Sequence, residues 1–381
     1  MTVRRDIIGS LWPFYVDPAW DGRGTRANCP WPRAMILMRP VPADPPPSVH
    51  QSIPAAVGFV VTTLEVLGGF VLLLFGAEYL VRGAVGLAKR FNVSPMIIGM
   101  TIVAYGTTAP ELVVSVEAAL SGAPGISVGN VVGSNIANIL LILGAASLVY
   151  PIRCTPALLY RDSSVMLGAA FLFVGLALTG MITRAQGMLM IAAIVSFSVY
   201  TYWAERRRNR SRDVLEQEAE EFSEGPRSVW LAVLAVIGGI VAVVVGAQLL
   251  ISGATTAARH FGVGEEVIGL TLVAVGTSLP ELATAVVAAW RRHTDVAIGN
   301  IIGANIYNVL AIMGVVSVIT PLQIPAQIVR FDIWFMLAVT FALLVAVVVF
   351  KGVNRVIGGI FLAAYALYVM LQYYGLRAIG L

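Results

Sequence analysis

The sequence predicts an all-α polytopic membrane protein of ten transmembrane helices, built as two inverted-topology repeats of five. Three observations carry that prediction. The 381-residue chain is 58% hydrophobic and 12% charged, with a mean hydropathy of +0.85, outside the range of soluble globular domains. It is internally duplicated: sliding it by 170 residues overlays 76–144 on 246–314 without a gap, with identity at 30 of 69 positions. Each copy holds five apolar spans, an odd number, so the copies must enter the membrane from opposite sides.

The elements follow in order. A bilayer core about 30 Å thick needs roughly 20 apolar residues per helix. Residues 1–54 hold no such stretch. They are rich in Pro, Arg and Trp, include PVPADPPPS and lack a signal-peptide pattern; a disordered extension, or a start assigned too far upstream, is expected there. Spans follow at roughly 57–82, 95–120, 126–149, 158–180 and 185–204, which with their flanks make a first repeat over 55–204. Residues 205–228, a block of Arg and then of Glu, form a charged loop expected to be solvated, or helical where it continues the fifth span. Spans at roughly 229–252, 265–290, 296–319, 331–350 and 353–374 make the second repeat over 229–381. Under the same shift Pro151 falls on Pro321 and Asp162 on Asp332.

Lys and Arg set the orientation. With the first span starting outside, the inner side receives fifteen of them and the outer side only Arg184, Arg259, Arg330 and Arg377, the extension left apart. Both ends of the membrane core are therefore expected outside and the central loop in the cytoplasm, in a multi-pass plasma-membrane (inner-membrane) protein. The net charge of +4 is thus a topology signal and points to no nucleic-acid partner. Cys29, Cys154 and three scattered histidines show no metal or redox spacing, and no cofactor is expected.

The polar residues inside the apolar spans carry the chemistry. Glu111 lies deep in the second span and Glu281 at the matching place in the seventh, with no basic residue in the apolar parts to pair with either. A carboxylate there is costly, so its counter-charge must be a cation or a proton from outside the chain. Pro110 and Pro280 precede them and free the carbonyls of Gly106 and Gly276; broken helices are where transporters place ion sites. Thr107, Thr108, Thr277 and Ser278 stand three and four residues before the glutamates and share their face. The third and eighth spans add Asn135 and Asn138, then Asn305 and Asn308, with Asn130 and Asn300 upstream. Hard oxygen donors with two full charges suit Ca²⁺ and Na⁺ better than soft metals. Taken singly, a hydroxyl in a membrane helix bonds its own backbone; their joint duplication argues for one composite site. Glu78 and Arg82 read as an i,i+4 pair sufficient to itself.

GTTAPEL at 106–112, GTSLPEL at 276–282, GNVVGSN at 129–135 and GNIIGAN at 299–305 resemble the two α-repeats of the calcium/cation antiporter superfamily, and most closely prokaryotic sodium/calcium exchangers. The resemblance covers the chain after residue 56. It implies that Glu111 and Glu281 bind both Ca²⁺ and Na⁺, and that Thr107, Thr108, Thr277, Ser278, Ser134, Asn138, Asn308 and the carbonyls of Ala104 and Ala274 complete the sites. Ala304 stands where some members have Ser, and Asn308 where some have Asp. The function so implied is Na⁺-for-Ca²⁺ antiport by alternating access, with spans one and six sliding past a central bundle, the ions as substrates, the lipid bilayer as surroundings, and a single chain acting alone. Ca²⁺/H⁺ antiport is the alternative. A membrane-embedded enzyme such as a prenyltransferase would need paired Asp-rich motifs, which the sequence lacks. A passive channel would need a continuous polar stripe.

Overall fold

The computed structural model of the chain describes residues 55–91, 93–153, 156–209, 228–261 and 276–372. The 1–54 segment, most of the charged loop (210–227), the first half of the expected seventh span (262–275) and Cys154 lie outside them. Among the described residues six helices are long and apolar enough to cross a membrane, and seven when a bent pair counts as one span.

The first helix, α1 (Ala55–Arg90), and its counterpart α7 (Val229–His260) run eight residues beyond the expected ends at 82 and 252. Hydropathy marks the bilayer, whereas a helix stops where the backbone is broken, and no proline interrupts either stretch. At about 1.5 Å per residue the 36 residues of α1 reach about 54 Å, so the helix must tilt or project. The two helices pack on each other through Gly69, Gly76 and Gly83 against Gly239, Gly246 and Gly253, each triplet at seven-residue spacing. A Cβ on Gly76 would lie 2.8 Å from the Val243 nitrogen, and one on Gly239 2.6 Å from that of Leu80. Small residues let the backbones meet. The outer faces carry exposed Phe59, Phe70, Phe75, Trp230 and Leu234, a surface suited to lipid.

The second span is broken. It comprises α2 (Pro95–Thr107) and α3 (Ala109–Leu120), bent by 43°. Ser94 caps the start of α2, its hydroxyl accepting from the Ile97 N–H. Next come α4 (Pro124–Val149), α5 (Pro156–Ala177) and α6 (Arg184–Asn209). After α7 the described chain resumes towards α8 (Leu279–Trp290), α9 (Thr294–Ile319), α10 (Ile328–Phe350) and α11 (Arg355–Met370). The core sits at α4 and α9. In their apolar windows 78% and 83% of residues are buried inside the molecule, against 17% in α1. Both core helices widen to π-turns at matching places, Asn138–Leu143 in α4 and Asn308–Ile312 in α9.

Contacts between the halves come in crossed pairs. Strand β1 (Ile152–Arg153) pairs antiparallel with β4 (Gly352–Val353), and β2 (Met181–Ile182) with β3 (Leu322–Gln323). Arg355 donates to the Val149 carbonyl and Arg184 to that of Ile319, each at 3.3 Å, so each half supplies an arginine to the carbonyl end of the other half's core helix. The pairs correspond under a shift of 170 as far as Met336 and of 171 from Lys351 on, where Gly180 (φ 79°) answers to Lys351 (φ 56°) as a left-handed helix stop. The single shift of 170 expected throughout thus needs one extra residue between Met336 and the end of α10. Gly352 has φ 138° and leaves no room for a Cβ against the Ile152 carbonyl, so this ribbon needs glycine.

Candidate functional site

Glu111 and Glu281 both stand in the first turn of a half-helix, α3 and α8. The break between α2 and α3 is local, and α8 starts in the same manner. Pro110 and Pro280 each occupy the second helical position, where the missing N–H costs nothing. The Thr108 N–H still reaches the Ala104 carbonyl at 3.0 Å, and those of Leu112 and Leu282 reach Thr108 and Ser278 at 3.3 and 3.0 Å. The carboxylates therefore face the positive end of a helix dipole, which favours a negative charge. Gly106 and Gly276 lie under Ile240 and Ile251 of α7; a Cβ on Gly276 would lie 2.5 Å from the Ile251 Cδ1.

The two half-sites meet. The Thr108 hydroxyl donates to Glu281 Oε1 at 3.2 Å, and that of Thr107 to Asn300 Oδ1 at 3.3 Å and to the Ala104 carbonyl at 3.4 Å. Asn138 Nδ2 donates to Asn305 Oδ1 at 3.3 Å. Asn130 Nδ2 donates to the Ser115 hydroxyl at 3.0 Å and to the backbone carbonyl of Glu111 at 3.4 Å, tying α4 to the half-helix that carries the glutamate. Of the residues nominated from sequence, Ala104, Thr107, Thr108, Glu111, Ser134, Asn138, Ser278, Glu281 and Asn308 are buried and Thr277 is half-buried. Ala274 lies outside the described residues. No side-chain hydrogen bond among the described residues joins Ser134, Ser278 or Asn308 to the others. Asn300, one of the six amides singled out in the sequence, is the acceptor for Thr107; Ser115 as partner of Asn130 went unnominated, and with Ala285 as its repeat counterpart duplication gave no signal for it.

The electrostatics are one-sided. Glu111 and Glu281 are each 1% exposed, and no ion pair among the described residues includes either. The Oε2 atoms of both glutamates, the hydroxyl oxygens of Thr277 and Ser278, and the Oδ1 atoms of Asn135, Asn138 and Asn308 are buried without a partner among the described residues. Unsatisfied buried acceptors are expensive, and two uncompensated carboxylates more so. Such an arrangement can accept a cation. The expectation for Glu78 needs correction: besides Arg82 at 2.5 Å it accepts from Arg291 at 2.5 and 2.8 Å. It is a three-residue tie from α1 to the end of α8, because the α8–α9 turn brings Arg291 alongside.

Comparison with known proteins agrees with this geometry. The family model described as sodium/calcium exchanger protein matches residues 61–203 and 231–374. The sodium/calcium exchanger MaX1 of Methanosarcina acetivorans is 31% identical over 350 residues, covering 82% of this chain and 99% of that protein. The inner membrane protein YrbG of Escherichia coli is 36% identical over 290 residues, covering 75% and 89%. The solved structure of the sodium/calcium exchanger from Methanococcus jannaschii superimposes with a TM-score of 0.70 at 30% identity, covering 82% of this chain and 98% of that one. Family and fold are those of membrane transporters. The chain belongs to the sodium/calcium exchanger family and is a multi-pass membrane antiporter of cations.

Proposed function

We propose that this protein extrudes Ca²⁺ across the plasma membrane in exchange for Na⁺, by alternating access and without covalent chemistry. The observation that carries the reading is the pair of buried carboxylates with no ion-pair partner among the described residues, on the same helices and their partners as several buried oxygens that lack a partner among the described residues. One Ca²⁺ or two Na⁺ would neutralise the two charges, so the ions compete for Glu111 and Glu281, and that competition is the coupling. Thr107, Thr108, Thr277, Ser278, Ser134, Asn138, Asn308 and the carbonyls of Ala104 and Ala274 complete the coordination. Ten spans in two inverted halves, 55–204 and 229–381, frame the site; the crossed ribbon, arginine and glycine pairs support this. Both ends of the membrane core lie outside, with the 205–228 loop cytoplasmic and residues 1–54 outside the exchanger unit. One chain suffices, because both half-sites come from it.

Reconstituted vesicles test the reading. With pH clamped on both sides, an imposed Na⁺ gradient should drive Ca²⁺ uptake against its own gradient. Uptake that ignores Na⁺ and follows a pH gradient would replace Na⁺ by H⁺ as the coupling ion. Ca²⁺ flux that collapses to equilibrium under every gradient would make the protein a channel.

A further inference from the structure

Two methionines touch the site from outside. Asn135 Nδ2 lies 3.7 Å from the sulfur of Met336 on α10, and Asn305 Nδ2 lies 3.7 Å from that of Met166 on α5. The contacts are repeat-related and crossed: Asn135 shifts onto Asn305 and Met166 onto Met336. All four side chains are buried. A packing methionine need not meet an amide nitrogen, and here it happens twice at matching places.

A thioether sulfur accepts a hydrogen bond and never donates one. Beside an asparagine it selects the NH₂ edge of the amide and turns the oxygen edge away. For Asn305 that oxygen accepts from Asn138. For Asn135 the oxygen is buried with no partner among the described residues, so the matching bond, which would come from Asn308 in the place of Asn138, is not made there. One amide pair is closed and the other is open.

We propose that Asn135 is a further cation ligand, presenting Oδ1 to the transported ion, and that Met336 is the positioning residue that holds its amide in that sense. Met166 does the same for Asn305, whose oxygen is free only when Asn138 lets go. The inference rests on the cation site proposed above. The orientation matters because the site is rich in acceptors. An NH₂ group released from sulfur would turn inward to a glutamate or asparagine oxygen and oppose the cation, whereas the oxygen edge attracts it. Apparent affinity falls by the fraction of molecules holding the competent orientation.

The test is Ca²⁺ binding to the purified full-length protein, with exchange rate measured in parallel. Met336→Leu keeps the volume and removes the acceptor; apparent Ca²⁺ affinity should fall roughly three- to tenfold with the maximal rate within about twofold. In an Asn135→Asp background the two carboxylate oxygens are equivalent, no orientation has to be chosen, and Met336→Leu should have no further effect on affinity. The same fall in both backgrounds, or none in either, would overturn the proposal and leave Met336 as packing. Met166→Leu should cost less than Met336→Leu, since Asn138 still holds Asn305. Should Met336→Leu fail to insert, Asn135→Leu decides the ligand role: affinity reduced about tenfold supports it, and unchanged affinity overturns it. Loss of Ca²⁺ binding in the unsubstituted protein would reject the cation site itself, and this inference with it.

Discussion

The half-sites at 107–111 and 277–281 share a sequence pattern but not a set of contacts. Thr108 reaches across to Glu281 and Thr107 to Asn300, while the hydroxyl oxygens of their counterparts Ser278 and Thr277 have no partner among the described residues. Asn138 donates to the Asn305 oxygen, whereas the Asn135 oxygen, where the matching bond from Asn308 would end, has no partner among the described residues. Nothing in the duplicated motif demands this inequality. It follows if a duplicated site closes one half at a time, with the second-half hydroxyls free in the conformation described here. The difference teaches that the two copies occupy unlike positions of one cycle, so equivalent substitutions should have unequal effects.

The largest expected effect treats the halves alike. Glu111→Gln or Glu281→Gln keeps the shape but removes one of two charges, and Ca²⁺ transport should fall to background, roughly a hundredfold or more. Glu78→Gln loosens the tie to Arg291 and can alter the rate, yet should leave apparent Ca²⁺ affinity unchanged. Robust exchange by Glu281→Gln would remove the second half from the site.

The next comparison separates the halves. Thr108→Val strips a hydrogen bond from a buried carboxylate, a contact of about 1.5–3 kcal/mol, and should raise the apparent KM for Ca²⁺ about tenfold. Ser278→Ala removes a hydroxyl with no partner among the described residues and should raise it less, about threefold. Equal effects from the two would break the asymmetry.

The third sharpens it. Asn308→Asp severs no side-chain hydrogen bond among the described residues and adds a third acid, so apparent Na⁺ affinity should rise. The gain depends on the acid being ionised; it should be present at high pH and disappear as pH falls. Asn138→Asp sets a carboxylate oxygen against the Asn305 oxygen it now bonds, and should cost stability for a smaller gain. Wild-type Na⁺ affinity and pH dependence in Asn308→Asp would return residue 308 to helix packing.

The smallest effects lie beyond the ions. Ser115→Ala deprives Asn130 of a partner that Asn300 already lacks, since Ala285 stands in its place; about 1 kcal/mol of stability should go, seen as a lower melting temperature in detergent with transport retained. Deleting residues 1–54 should change neither insertion nor transport, because the repeat starts after them.

Much of this was legible in the sequence, for physical reasons. A charge deep in an apolar span is so costly that Glu111 and Glu281 advertise themselves, and the proline before each marks the break at Thr108 and the helix start after Ser278. What stayed hidden are properties of contact. A π-turn starts at Asn138 and at Asn308 without any residue type that requires it. Arg291 looked like a topology signal until the turn after α8 set it on Glu78. Met166 and Met336 drew no notice as sequence, although their separation of 170 residues could have singled them out. Helix ends were the poorest guide, because α1 and α7 stay helical after their apolar stretch is spent.

The central claim is one shared site in which both carboxylates hold the ion. It is tested most directly by equilibrium binding of radioactive Ca²⁺ to the purified protein, titrated with Na⁺ at fixed pH. The account predicts saturable Ca²⁺ binding, displaced to background by Na⁺ and absent in both Glu111→Gln and Glu281→Gln. Ca²⁺ that stays bound at saturating Na⁺, or binds undiminished with either glutamate replaced, would contradict it.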